Sequence, residues 1–314
     1  MGSVLVPALR ALGLEVVSWT RSLGGSLVKL RDAELVFLAV SDGAVGKLCE
    51  QLTLERLLGE GQLVVHLAGA LSLLPLAPAL EAGARTGSLH PLRAVSRGSK
   101  SVALRGAAAG IDGSDAVARR TLTALARALG LVPLRVGHGA RALYHAAAVL
   151  AAGNQVALFA EAVQVFRAAT GASEPEARAA LLPLALGSLA RLEALPPEEA
   201  ITGPAVRGDL ATIRAHRTAL ASHDPRLLSL YDELTRTATR LAAGRADESV
   251  LAQIEALSRS PAPPPSRPGP GSRSSPPRPP RPTPTRPEAS SRSPAPRARP
   301  TSPRRRGLAT RRRP

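Results

Sequence analysis

Over the first 136 residues, short apolar runs alternate with stretches of helical periodicity; beyond Gly137 the short runs stop and only helical periodicity remains. Val36-Phe37-Leu38-Ala39-Val40 and Leu63-Val64-Val65 are continuous rather than alternating. That is the pattern of strands covered on both faces, as the central strands of a parallel sheet are. The pattern predicts strands over residues 14–19, 34–40, 62–67, 86–89, 101–104 and 131–136. Helices are expected over 44–58, 72–82 and 114–129, the last with Ser114 as its N-cap. Strand and helix in alternation build an α/β parallel sheet with helices on its faces.

The second half reads as all-helical. One long apolar helix is expected over 140–170, closed by Gly171, and Ser173 with Glu176 opens the next as a capping box, with Pro175 in its first turn. Further helices follow over 176–195, 205–222, 225–243 and 248–257. A segment as apolar as 146–166 has to be covered nearly all round, at the centre of a bundle or at a subunit contact. Its Asn154, Gln155 and Glu161 argue for a buried helix and against a membrane span.

Charge changes the picture at the C-terminus. Residues 259–314 hold fifteen Arg against the single Glu288, and eighteen of the 29 prolines. Their net +14 leaves about +3 of the chain's +17 for everything before them, so the basic character belongs to this tail and not to the folded part. With so few apolar side chains the tail cannot offset the entropy of ordering its backbone, and it reads as disordered. Arg304-Arg305-Arg306 and Arg311-Arg312-Arg313 give it a sequence-independent affinity for polyanions, so nucleic-acid binding, if any, is expected through the tail alone. Cys49 is the single cysteine, which excludes an intrachain disulfide and fits a reducing cytoplasm. Arg10 and Glu15 interrupt the N-terminal apolar stretch too early for a signal peptide.

Five segments together carry a resemblance: Ala39-Val40-Ser41-Asp42, Val65-His66-Leu67-Ala68-Gly69-Ala70-Leu71, Gly87-Ser88-Leu89-His90-Pro91-Leu92, Tyr144-His145-Ala146-Ala147, and Thr202-Gly203-Pro204-Ala205-Val206-Arg207-Gly208-Asp209. The chain resembles, over about residues 2–243, bacterial proteins that pair a Rossmann-like domain with a helical domain of unknown function 2520. That family is related to pyrroline-5-carboxylate reductase, 6-phosphogluconate dehydrogenase and the coenzyme F420-dependent NADP reductases. The resemblance implies a Rossmann-like NAD(P)-binding domain over 1–136, a helical domain over 137–245 that closes the substrate cleft and forms a homodimer, a terminal helix over 246–258 and the tail over 259–314. The substrate is an unassigned small molecule.

Against that family the beginning departs from pattern. Members open with a strand and a G-x-G-x-x-G turn, whereas Met1-Gly2-Ser3-Val4-Leu5 runs straight into what would be the helix, with Gly2 as the third glycine that lets helix and strand pack closely. The missing strand would lie centrally, between those at 14–19 and 34–40. Its loss would leave unpaired backbone groups at roughly 1–3 kcal/mol for each one buried away from water. The expectation is a true start upstream, or poor nucleotide binding by the chain as given.

In this fold a dinucleotide crosses the carboxyl ends of the strands with its pyrophosphate on a helix N-terminus. The candidate cofactor-binding positions are Gly2, Ser3, Arg21, Ser22, Ser41, Asp42 and Gly69. Arg21 stands where an NAD-preferring protein places an acidic residue, which favours NADP over NAD or F420. His90, His145, Arg207 and Asp209 are the catalytic candidates. Related enzymes place a Lys or His with an Asn on the corresponding helix, but Asn154 is nine residues from His145, two and a half turns away and on the opposite side, and this helix has no Lys. No metal-ligand spacing and no G-x-S-x-G is present, which removes the simplest metalloenzyme and hydrolase readings. The leading function is an NADP-dependent oxidoreductase; the alternatives are a non-catalytic nucleotide-binding sensor or scaffold, and nucleic-acid binding through the tail.

Overall fold

The computed structural model describes residues 1–20, 27–95, 104–137 and 139–263. Residues 264–314 of the tail, Arg21, Ser22 and residues 101–103 of an expected strand lie outside the described residues, whereas Arg259 closes the last helix. The chain opens on α1 (Gly2–Ala11), followed by β1 (Leu35–Leu38), α2 (Asp42–Leu54), β2 (Leu63–His66), α3 (Ala77–Glu81), β3 (Arg85–Pro91), β4 (Ala108–Gly113), α4 (Ala116–Ala128) and β5 (Val132–Arg135). The sheet order is β1-β2-β3-β4-β5. β1, β2 and β3 run parallel, β4 runs antiparallel to β3, and β5 is parallel to β4.

The continuous apolar runs are explained by two cores, one on each face. Leu63 and Val65 of β2 pack with Val4, Leu5 and Leu9 of α1 and Leu122 of α4. Val64 packs on the other face with Val36 and Leu38 of β1, Val45, Cys49 and Leu52 of α2, and Ala79 of α3. Because successive strand side chains point to opposite faces, a strand covered by helices on both sides is apolar at consecutive positions wherever both helices reach it.

Several expectations are corrected. Residues 14–19 form no strand; Leu14, Val17 and Trp19 are exposed by 46%, 58% and 39%. The sheet is parallel-dominated but not wholly parallel, because β4 enters reversed. β4 itself, Ala-Ala-Gly-Ile-Asp-Gly, was not expected as a strand. Its small residues have a packing cause: a Cβ on Gly110 would stand 2.5 Å from the Tyr144 hydroxyl, and one on Gly113 would stand 2.9 Å from Ala118 Cβ. Asp115, not Ser114, caps α4, accepting from the Ala118 amide at 2.7 Å. The Ser114 hydroxyl instead accepts the Thr86 amide at 3.1 Å.

The helical region holds α5 (Arg141–Ala151), α6 (Gly153–Thr170), α7 (Glu174–Ala190), α8 (Pro197–Ala200), α9 (Leu210–His223), α10 (Pro225–Leu241) and α11 (Glu248–Arg259). The single long helix expected over 140–170 is two, broken where Ala152 adopts φ −125° and ψ −80° just before Gly153. It is also not covered within one chain. Val163 is the one buried residue of α6, while Leu143 and Val156 are 77% and 71% exposed. By length and composition Arg141–Thr170 is apolar enough to cross a membrane, with a mean hydropathy of 1.5. The break at Ala152 interrupts that span, and its first turn carries polar side chains that pack into the sheet. The Ser173–Glu176 capping box is present, and Gly171 closes α6 in the left-handed conformation at φ 73°.

Helices α9, α10 and α11 share a small core of Ala205, Ile213 and Ile254. Arg217 on α9 ties it together. It donates to both Asp232 carboxylate oxygens, at 2.9 and 3.1 Å, and to the Ser260 carbonyl at 2.8 Å.

Candidate functional site

The register of three strands places polar residues side by side inside the sheet. His66 is in register with Ser88, Ser88 with Asp112, and His90 with Gly110. Strand alternation puts all five on the Val64 face, at the carboxyl ends of β2 and β3, where open α/β sheets hold ligands. His66, Ser88 and Asp112 are buried, and His90 is half-buried.

Helix α5 completes the cluster. Arg141, Tyr144 and His145 sit at i, i+3 and i+4 and therefore share one helix face. The Tyr144 hydroxyl accepts the Gly110 amide at 3.1 Å, lies 3.0 Å from His90 Nδ1, and is 3.2 Å from the His90 carbonyl. A phenol has one proton, so two arrangements are open. If it goes to the carbonyl, His90 carries its proton on Nδ1 and leaves Nε2 as an acceptor; if it goes to Nδ1, Nε2 carries the proton. The His90 ring meets the rings of Tyr144 and His145 edge-on, each with centroids 5.6 Å away.

Gly69, just beyond β2, makes room for both imidazoles. A Cβ there would stand 2.4 Å from His145 Nδ1 and 2.8 and 2.9 Å from His90 Cε1 and Nε2. Gly69, His90 and His145, three of the residues singled out in the sequence, are thus brought into direct contact. Arg141, Tyr144, His66, Ser88 and Asp112 had no candidate role there, although the i, i+3, i+4 spacing of the first two with His145 is a legible signal.

Burial sets the protonation states. His66 accepts the Ala68 amide on Nδ1 at 3.2 Å, so its Nε2 carries the proton and donates to the Ser72 carbonyl at 3.1 Å. Loss of solvent, reinforced by the Arg141 charge, lowers its pKa to about 4. His90 is also lowered to about 4, by burial first and then by the nearby His145 and Arg141. Burial pushes the Tyr144 phenol up. At neutral pH, His66 and His90 are neutral and Tyr144 holds its proton.

The remaining candidates sit elsewhere. Gly2 opens α1 with no side-chain cap and no acidic residue in the first turn, beside Ala39 at the end of β1. A Cβ on Gly2 would reach Ala39 Cβ at 3.5 Å, an ordinary contact, so close packing does not demand glycine there. Ser3 is exposed in the same turn. Ser41 is the N-cap of α2 and makes no side-chain cap bond, and Asp42 follows in its first turn. Asp209 caps α9, accepting from the Thr212 amide at 3.0 Å and the Thr212 hydroxyl at 2.6 Å. That bonding holds its carboxyl below the usual range. Arg207 is exposed in the preceding turn. This loop borders α9 and α11, where Gly208 lies against Val250, rather than the histidine cluster. Among the described residues no group of three His, Cys, Asp or Glu could hold a metal ion.

Two solved structures show the same fold elsewhere. A candidate NADP oxidoreductase of Bacteroides fragilis matches 75% of this chain and 93% of its own length, with TM-score 0.59 and 23% identity. A Thermotoga maritima protein matches 67% of this chain and 78% of its own, with TM-score 0.56 and 23% identity. The NADP-bound pyrroline carboxylate reductase of Plasmodium falciparum matches 82% of this chain and 94% of its own, with TM-score 0.48 and 10% identity. No curated protein matches the chain. Family models match over two stretches: the model of a Rossmann-like domain matches residues 26–91, and that of a domain of unknown function, DUF2520, matches residues 107–238.

Proposed function

We propose that this chain is an NADP-dependent oxidoreductase acting on a carbonyl or imine compound held among His90, Tyr144 and His145. The observation that carries the reading is their convergence over Gly69 at the carboxyl ends of the parallel strands. The name of the Bacteroides fragilis relative supports it. The uncapped start of α1 at Gly2 and Ser3 offers backbone N–H groups and a positive helix end to a pyrophosphate. The Ser41 hydroxyl faces no cap partner, and Asp42 suits ribose hydroxyls better than phosphate. Bound nicotinamide supplies the hydride.

The chain's own contribution is orientation and a proton. Tyr144 keeps its proton because burial raises its pKa, and His90 remains neutral. In the tautomer with Nε2 protonated, His90 holds a donor at the Gly69 side of the cluster; in the other, that nitrogen is an acceptor that orients a donor group of the substrate. The preference for NADP over NAD rests on Arg21. Cys49 is buried with its thiol pushed up, which fits a cytoplasmic, reducing setting. The bare apolar surfaces of α5, α6 and α7 are read as a homodimer contact.

The test is NADPH fluorescence with the full chain, followed by NADPH oxidation across a panel of ketones, 2-oxo acids and cyclic imines. Saturable binding with turnover that His90→Ala and Tyr144→Phe abolish is the expected result. Binding without turnover on any of them would favour the sensor reading, and no binding at millimolar NADPH overturns the assignment.

A further inference from the structure

Arg141 is 2% exposed, yet its guanidinium makes a single hydrogen bond, from Nη2 to the Ala68 carbonyl at 3.2 Å. Nε and Nη1 are buried without a partner, and no carboxylate lies within 4.0 Å among the described residues. Arg217 shows how this chain satisfies a buried Arg when the role is structural. It is equally buried, at 3%, and its nitrogens are taken up by Asp232 and Ser260. A guanidinium has five donors and stays charged, so leaving most of them empty in a buried site is costly unless something arrives to fill them. Burial pushes its pKa down and only Asp112 and Tyr144 oppose that.

The empty donors belong to the cluster already described. Arg141 lies one helical turn before Tyr144 and His145 on the same face. Its charge is felt by both His66 and His90. Other polar atoms here are buried and unpartnered as well: His145 Nδ1, Ser88 Oγ and Asp112 Oδ2. Tyr144, His145 and His90 are half-buried, so the cluster has a solvent side.

We propose that Arg141 is the receptor for a substrate carboxylate, so that the substrate class is a 2-oxo or 2-imino acid. This deepens the oxidoreductase reading and rests on it: the guanidinium holds the carboxylate while the adjacent carbonyl or imine meets His90 and Tyr144. A carboxylate replaces missing acceptors with charge-assisted hydrogen bonds.

The test uses the full chain and oxamate, an unreactive 2-oxo-carboxylate mimic, against its neutral diamide oxamide and against inorganic phosphate. Thermal midpoint and calorimetric titration are the readouts, with NADPH fluorescence measured in parallel. Oxamate should raise the midpoint and oxamide should not. Arg141→Met should leave the midpoint of the ligand-free protein unchanged or higher, because removing an unpaired buried charge relieves a cost. It should weaken oxamate by about 10- to 150-fold, with partial retention in Arg141→Lys. An unresponsive wild type, equal stabilisation by phosphate, an Arg141→Met variant that binds oxamate normally, or one that is strongly destabilised without ligand would each overturn the proposal. NADPH binding without an oxamate response removes only the carboxylate receptor; oxamate binding without NADPH binding removes the cofactor reading and leaves Arg141 in place.

Discussion

The Tyr144 hydroxyl lies 3.0 Å from His90 Nδ1 and accepts the Gly110 amide at 3.1 Å, so one phenol joins the end of β3, the middle of β4 and the first turn of α5. Tyr144→Phe removes that junction and leaves the Gly110 N–H without its acceptor. An unsatisfied buried donor costs roughly 1–3 kcal/mol. Urea unfolding should show a loss of that size, and an unchanged midpoint would mean water replaces the phenol without penalty.

Gly69 and Gly2 make a matched pair of tests. In Gly69→Ala the new Cβ would overlap His145 and His90, at 2.4 to 2.9 Å, so the imidazoles must move. Overpacking of this kind costs about 1–3 kcal/mol, and the histidine ring signals should shift in NMR spectra. In Gly2→Ala the Cβ meets only an ordinary contact at 3.5 Å. It should be neutral or add up to about 1 kcal/mol through a less flexible unfolded chain. Equal destabilisation by both changes would contradict the packing described.

Most of the sheet was legible because two-sided burial writes itself as uninterrupted apolar runs, as in Val36–Leu38 and Leu63–Val65. β4 was not, because its sequence is set by what leans on it: Gly110 by Tyr144 and Gly113 by α4. Low β-propensity there reports close neighbours rather than a loop. Residues 14–19 show the opposite failure, since a β-rich pattern states a preference but cannot supply a pairing partner. His90, His145 and Gly69 could be chosen singly as polar or glycine positions at element ends. Their meeting depends on the β3–β4 register and on α5 docking, which no local pattern encodes.

His66 makes stability pH-dependent. Its folded pKa is about 4 against 6.5 for the free ring, so the unfolded state takes up the proton first. Stability is therefore fully present above about pH 6.5 and falls as pH drops toward 4, by ~3 kcal/mol for this residue alone. His90 is lowered likewise and adds to the slope. Urea midpoints between pH 7 and pH 5 should fall steeply in the wild type and less steeply in His66→Gln, whatever that change does at pH 7. Parallel slopes would show that His66 is not the group responsible.

The Arg217–Asp232 pair holds the α9–α11 bundle from inside, with side chains 3% and 9% exposed. Asp232→Asn keeps the volume but strands the cation, and removing one partner of a buried pair costs about 3–5 kcal/mol. Replacing both with apolar residues, Arg217→Met with Asp232→Leu, should recover much of that loss. A double variant no better than Asp232→Asn would mean that the Ser260 contacts, not the pair, carry the stability.

The apolar surface of α5 and α7 predicts a specific association. Leu143 is 77% exposed, Leu150 60%, Leu184 68% and Leu186 57%. Single exposed leucines are ordinary on a monomer, but α6 packs against both helices and exposes Val156 by 71%, and apolar side chains bared on three successively packed helices are the kind of surface that marks a contact. A second copy is the occupant proposed, since each apolar Å² removed from water contributes about 25 cal/mol. Sedimentation velocity should find a dimer at micromolar concentration. Leu143→Glu with Leu184→Glu should give a monomer of unchanged helical circular dichroism, because both side chains lie in solvent within one chain and the new charges are buried only if the partner is there. A wild type that sediments as a monomer, or a double variant that still dimerises, would move the contact to another face.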